Sequence, residues 1–181
     1  MRELKHHEKK LLRKVSLYSW KGEENIKVAK IMRRYHIQKR EDYVAYNRIC
    51  GNIQQLSSKL KTLEGDDPFR IAMTDQLLDK MHNMGLITTK KSLKKADEIT
   101  TSSICRRRIP VLMVRMKMAE TLRIAVTFVE QGQVRVGPNV VTDPAFLVTR
   151  SMEDFVTWVD SSKVKKTVQK YNDKLDDFDL L

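Results

Sequence analysis

Seven cations fall between residues 106 and 135 with the types and spacing needed to hold phosphate. Arg106, Arg107 and Arg108 stand in succession, Arg115 and Lys117 follow, and Arg123 and Arg135 come later. A guanidinium presents a planar fork of N–H donors that pairs with two phosphate oxygens at once and stacks on unpaired bases. Thr121 precedes an apolar run and can cap a helix, whose first-turn N–H groups favour a further phosphate oxygen. Such contacts fix register along a ribose-phosphate chain and carry little base information, so the chemistry expected is shape-selective RNA binding. A blander reading stands beside it. Any one of these side chains on its own is ordinarily solvated or weakly paired, at about 0–1 kcal/mol.

The elements that must position these residues can be read from the apolar spacing. Ile109, Leu112, Met113 and Met116 form one helical face, with Pro110 tolerated in the first turn. Leu122, Ala125, Val126 and Val129 form a second face behind Thr121, and Gly132 stops it. The period then switches to two over 133–136, which turns Arg135 opposite Val134 and Val136. Gly137-Pro138-Asn139 turns the chain, and Val140-Val141 resumes a strand. Ala145 to Val148 reads as another short strand and Phe155 to Val159 as a last one. Trp158 in that strand, like Trp20 far upstream, reads as a packing residue rather than a base-stacking platform.

The first hundred residues read as helices. Leu4, Leu11, Leu12, Val15 and Tyr18 give a basic amphipathic helix, and Val28, Ile31, Met32 and Tyr35 a second. Tyr46, Ile49, Ile53, Leu56, Leu60 and Leu63 run for about five turns, a stripe expected to be buried within the molecule. After Gly65-Asp66, Asp67 suits an N-cap and Pro68 the first helical position. Leu77, Leu78 and Met81 form the inner face of that helix, and Gly85 its C-cap. Residues 86–102 look like a connection with a short helix near Leu93 and Ala96. The fold class expected is therefore α+β. A basic helical region over 1–105 leads into a unit of two helices packed on a short antiparallel sheet over 106–172, and an acidic tail follows over 173–181.

Composition narrows the function. The 181 residues hold 35 Lys and Arg against 23 Asp and Glu, a net charge of +12. Residues 1–40 carry +9 and residues 101–135 carry +5, so two basic zones lack local acids. That balance points to a polyanion. No apolar run exceeds four residues, which excludes a transmembrane helix and a cleavable signal and leads us to expect a soluble intracellular protein. Two cysteines, Cys50 and Cys105, cannot build a disulfide framework or a four-cysteine zinc site. His6, His7 and His36 sit among cations, His82 is isolated, and no glycine-rich phosphate loop exists. Neither a catalytic constellation nor a metal site nor a cofactor is expected.

Arg106 to Ile109, Val111 to Met116, Met118-Ala119-Glu120-Thr121 and the run Phe128 to Val136 resemble the S-four RNA-binding domain, named for the fourth small-subunit ribosomal protein. His7 to Leu12, Asp67-Pro68-Phe69-Arg70 and Leu77 to Met81 are similar to the helical region that precedes that domain. Val141 to Asp160 and the ending Asp176-Asp177-Phe178-Asp179 resemble the Imp-three family of the U3 small nucleolar ribonucleoprotein, and this likeness covers essentially the whole chain. Two departures from the S-four pattern stand out. Leu122 follows Thr121 where many such domains have arginine, and Gly137-Pro138 replaces the usual Asn-Gly turn.

The resemblance implies a non-catalytic component of the small-subunit processome, in the nucleus and nucleolus, with no membrane or small-molecule substrate. The partners it implies are U3 small nucleolar RNA, pre-rRNA, M-phase phosphoprotein ten and other processome proteins. The role it implies is promotion of pairing between U3 RNA and pre-rRNA. The RNA-binding residues expected are Arg106, Arg107, Arg108, Arg115, Lys117, Thr121, Arg123 and Arg135. Two alternatives remain at this level: a structural small-subunit ribosomal protein of the same fold, and an adaptor that docks an acidic partner.

Overall fold

The computed structural model describes residues 2–14 and 22–173. Val15, Tyr18, Trp20 and the acidic tail from residue 174 onward lie outside the described residues, so the apolar face of the first helix and the tail are not assigned a place. Helix α1 is His6–Lys14 and α2 is Gly22–Arg34. Ile31 and Met32 of α2 pack inward, and Tyr35 and Ile37 just beyond it are buried. Helix α3, Arg40–Thr62, is the long helix expected from the stripe of apolar residues. It buries Tyr46, Cys50, Ile53, Ser57 and Leu60. Leu56 and Leu63 of the same stripe stay 50% and 37% exposed, so the expectation that the whole stripe is core holds only in part.

Helix α4, Pro68–Asn83, begins as the sequence dictates. The Asp67 carboxylate accepts from the Phe69 N–H at 2.9 Å, with Pro68 in the first turn. Leu78 and Met81 enter the core. Gly85, at φ +72°, lets the chain leave the helix in a left-handed conformation. Short helices α5, Lys94–Asp97, and α6, Thr101–Cys105, follow. The second of them was not legible in the polar run 86–102. Its hidden residues Ile104 and Cys105 close the first core.

The second core is built by α7, Ile109–Arg115, and α8, Leu122–Glu130. They pack on a three-stranded antiparallel sheet of order β2-β1-β3. Strand β1 is Val134–Val136, β2 is Asn139–Val140 and β3 is Val156–Trp158. The hairpin pairs Val136 with Asn139 across Gly137, whose φ of +58° suits the turn. Ile109, Leu112 and Met113 meet Ala125, Val129, Val134 and Val156 inside. Burying each such aliphatic side chain contributes about 1.5–3 kcal/mol. Phe128 meets Trp158 edge-on at 5.5 Å, which places Trp158 in packing.

Two elements differ from the sequence reading. Residues 145–148 form no strand beyond one isolated bridge, Arg108 with Leu147, because Asp143-Pro144 bends the chain before it can pair at length. Residues 150–155 form a 3-10 helix, Arg150–Phe155, before β3 begins, and helix α9, Lys163–Tyr171, follows the sheet. The helical region and the α+β unit touch through specific bonds. Tyr46 Oη donates to the Ala145 carbonyl at 3.0 Å, and Gln38 Nε2 donates to Glu130 Oε1 at 2.7 Å. Among the described residues no helix is long and apolar enough to cross a membrane.

Candidate nucleic-acid interface

The succession Arg106-Arg107-Arg108 lies between α6 and α7, where the backbone is neither helix nor free loop. Ile109 N–H donates to the Phe146 carbonyl at 3.2 Å, and Val148 N–H donates to the Arg107 carbonyl at 2.9 Å. Pinned against residues 146–148 in this way, the three side chains are sent to different places. Arg106 is exposed and has no ion-pair partner among the described residues.

Arg107 is only 6% exposed. Its Nε and Nη2 donate to the Val148 carbonyl at 3.0 and 2.9 Å, and Nη1 pairs with Glu153 at 2.9 Å. Burial pulls its pKa below the ordinary arginine value. Arg108 is 1% exposed. It turns the other way, lining a separate recess with Gln38, Asp42, Glu130 and Asp143. Its Nη1 donates to the Tyr35 carbonyl at 3.4 Å, and its Nε has no hydrogen-bond partner.

Arg107 and Arg108, two of the expected RNA-binding residues, are therefore buried and not presented on the surface. The short β-like contact with residues 146–148 alternates the side chains inward. There the guanidinium groups find carbonyls and a carboxylate instead of solvent.

What gathers at this junction is an arginine recess of ≈ 400 Å³. Arg106, Arg107, Arg115 and Arg150 surround a single carboxylate, Glu153, while Gly85, Thr88 and Ser103 close the side toward the helical region. Glu153 bridges two of the cations, bonding Arg107 on its floor and Arg115 at its mouth. Arg115 nevertheless keeps 58% of its side chain in solvent. Arg150 donates to His82 Nε2 at 2.5 Å. Gly85 is tied to this arrangement, since a Cβ there would lie 2.8 Å from Arg107 Cζ. Four arginines on one glutamate leave a surplus of positive charge in a concave, partly desolvated space, which is where an anion is held best.

The other expected residues stand elsewhere. Lys117, at φ +61°, is exposed at the end of α7 beside a shallow depression with Met118 and Glu120. Thr121 caps α8, its Oγ1 accepting from the Ile124 N–H at 3.4 Å, and Arg123 is exposed in the first turn. Neither Lys117 nor Arg123 has an ion-pair partner among the described residues. Arg135 projects from β1 as period-two alternation requires. It is already engaged: Nε donates to Thr157 Oγ1, and two bonds of 2.6 and 3.3 Å reach Asp160. The Asp160 carboxyl is held below its ordinary pKa chiefly by the hydrogen bond from Lys165, with Arg135 adding to it. A phosphate at Arg135 would have to compete with that pair.

The family comparisons fit this geometry. A model described as the ribosomal protein S4/S9 N-terminal domain matches residues 3–106, and the S4 domain matches residues 107–154. The U3 small nucleolar ribonucleoprotein protein IMP3 of Saccharomyces cerevisiae is 56% identical over 181 residues, covering 99% of each chain. The chain belongs to the IMP3 family. The human IMP3 protein is 51% identical over 181 residues, covering 99% of this chain and 98% of its own length. A small ribosomal subunit protein uS4 from Picrophilus torridus is 24% identical over 146 residues, 80% of each chain. The likeness to the Imp-three family and the α+β fold read from sequence are both borne out.

In this IMP3-family chain, sequence reasoning missed Arg150, His82 and Glu153. One signal was available for the first. Arg150 is the only cation between residues 136 and 162, so its placement is not part of a generally basic run.

Proposed function

We propose that this chain is a non-catalytic RNA-binding component of the U3 small nucleolar ribonucleoprotein, acting in ribosome biogenesis in the nucleus and nucleolus. The observation that carries the reading is the arginine recess, a cation-rich hollow at the head of an S4 domain. Arg106, Arg115 and Arg150 hold successive backbone phosphates around the recess above Arg107, which fixes the floor. Lys117, Arg123 and the free N–H groups at the start of α8 hold neighbouring phosphates along the strand. Arg108 faces the separate recess beside Asp42 and Glu130 and takes no part in holding phosphate.

A strand held by its phosphates keeps its bases outward and unstacked. Binding that conformation in preference to the folded one shifts RNA toward it without nucleotide hydrolysis. The substrates of this action are U3 small nucleolar RNA and pre-rRNA, whose pairing it favours. M-phase phosphoprotein ten and other small-subunit processome proteins are the protein partners. Full-length identity to IMP3 proteins at 56%, against 24% to a uS4 protein over part of the chain, favours this role over that of a mature ribosomal protein.

The test is twofold. The purified chain should accelerate annealing of a U3 RNA fragment to its pre-rRNA complement, and a tagged copy should co-sediment with U3 RNA in large precursor particles. Annealing at the protein-free rate, or recovery in translating ribosomes, overturns the reading.

A further inference from the structure

The arginine recess lies where the helical region meets the α+β unit; the helical hairpin α3–α4 has an unrelated feature. Leu56 of α3 and Leu63 just after it, which the packing of that helix leaves outside the core, face Phe69, Met73 and Leu77 of α4 across an open groove of ≈ 570 Å³. Phe69 is 59% exposed. Apolar side chains of this size, gathered in one concavity instead of scattered singly, mark an interaction surface.

The rim carries charge of one sign. Lys59 and Lys80 line it, no acidic residue does, and neither lysine has an ion-pair partner among the described residues. Lys61 differs in this respect, since it is paired with Asp97. Arginine is absent from the lining, so the groove lacks the forked donors that the recess offers to phosphate.

We propose that this groove docks an acidic amphipathic helix of another protein. Phe69 to Lys80 takes in twelve residues of α4, and the rise from the first to the last is about 16 Å at 1.5 Å per residue, which accommodates roughly three turns. A groove between two helices offers side-chain pockets and no strand edge, so it takes a helix whose apolar residues recur at i, i+3 or i+4, and i+7. Asp or Glu flanking that stripe meets Lys59 and Lys80. A second copy of this chain is disfavoured because each copy carries +12. The proposal stands apart from the RNA reading and uses none of its residues.

The test places a photo-crosslinking amino acid at Phe69 in the full chain, in cells, and maps the crosslinked peptide by mass spectrometry. The expected product is a segment of a different protein with net negative charge and helical apolar spacing. In a binding assay with that segment, the K59E/K80E double variant should weaken affinity about tenfold and leave RNA affinity unchanged. Crosslinks to RNA, to a second copy or to residues 174–181 of the chain itself overturn the proposal. So do the absence of a crosslink and equal affinity of the double variant.

Discussion

Glu153 is the carboxylate that lines the arginine recess proposed to hold RNA phosphate, and replacing it by glutamine separates its effect on stability from its effect on RNA. Glu153→Gln keeps an acceptor for the 2.9 Å bond from Arg107 but removes the carboxylate charge. Exchanging a charge-assisted bond for a neutral one costs about 1 kcal/mol of stability. The bond to Arg115, more than half exposed, adds little to that loss.

The effect on RNA has the opposite sign. A carboxylate about 6 Å from a bound phosphate, in surroundings of effective dielectric about 40–80, repels it by about 0.7–1.4 kcal/mol. Removing that repulsion and freeing Arg115 should raise affinity about three- to tenfold. The slope of log affinity on log salt should change little, because Arg115 already meets a phosphate in the wild type and no cation is added. Fluorescence anisotropy with a labelled single-stranded RNA across a salt series, alongside thermal melts, reads both effects. A lower melting temperature with unchanged or weaker RNA binding would show that phosphate does not enter the recess.

Gly85→Ala forces a Cβ into the left-handed region at about 1–2 kcal/mol and against the Arg107 guanidinium; thermal melts should show the loss, and RNA affinity should fall as Arg107 is displaced. Burial pushes the Tyr46 pKa up from 10.0 to about 12. The folded state therefore holds this proton more tightly, and the associated stability is complete below pH 10 and lost as pH rises toward 12. Tyr46→Phe should flatten that alkaline limb in denaturation curves and, by unpairing the Ala145 carbonyl, cost about 1–3 kcal/mol at neutral pH. Cys50 and Cys105 are buried, and burial raises both thiol pKa values, that of Cys105 to about 11. A thiol-reactive chromophore should label neither at neutral pH until denaturant unfolds the chain; rapid native labelling would contradict their burial.

The sequence made the large features legible for physical reasons. The stripe from Tyr46 to Leu60, the Asp67-Pro68 cap and the alternation around Arg135 are local patterns, and local patterns survive into the structure. What was hidden depends on long-range contact. Nothing in Arg106-Arg107-Arg108 says that the second and third arginines turn inward, because that follows from hydrogen bonds to residues about forty positions later. The recess is non-local as well: Gly85, Arg115, Arg150 and Glu153 meet only when the helical region closes on the α+β unit. Leu56 and Leu63 illustrate the converse, a regular apolar stripe longer than the core available to cover it.

The most direct measurement compares the wild-type chain with the triple variant Arg106→Ala, Arg115→Ala and Arg150→Ala, all three surface cations of the recess. With five phosphates neutralised by Arg106, Arg115, Arg150, Lys117 and Arg123, the wild-type slope of log affinity on log salt for single-stranded RNA should be roughly −3 to −4. The triple variant should melt within a few degrees of wild type, lose at least about tenfold in affinity and shift its slope to roughly −1.5. An unchanged slope and affinity in a folded triple variant would contradict phosphate binding at the arginine recess.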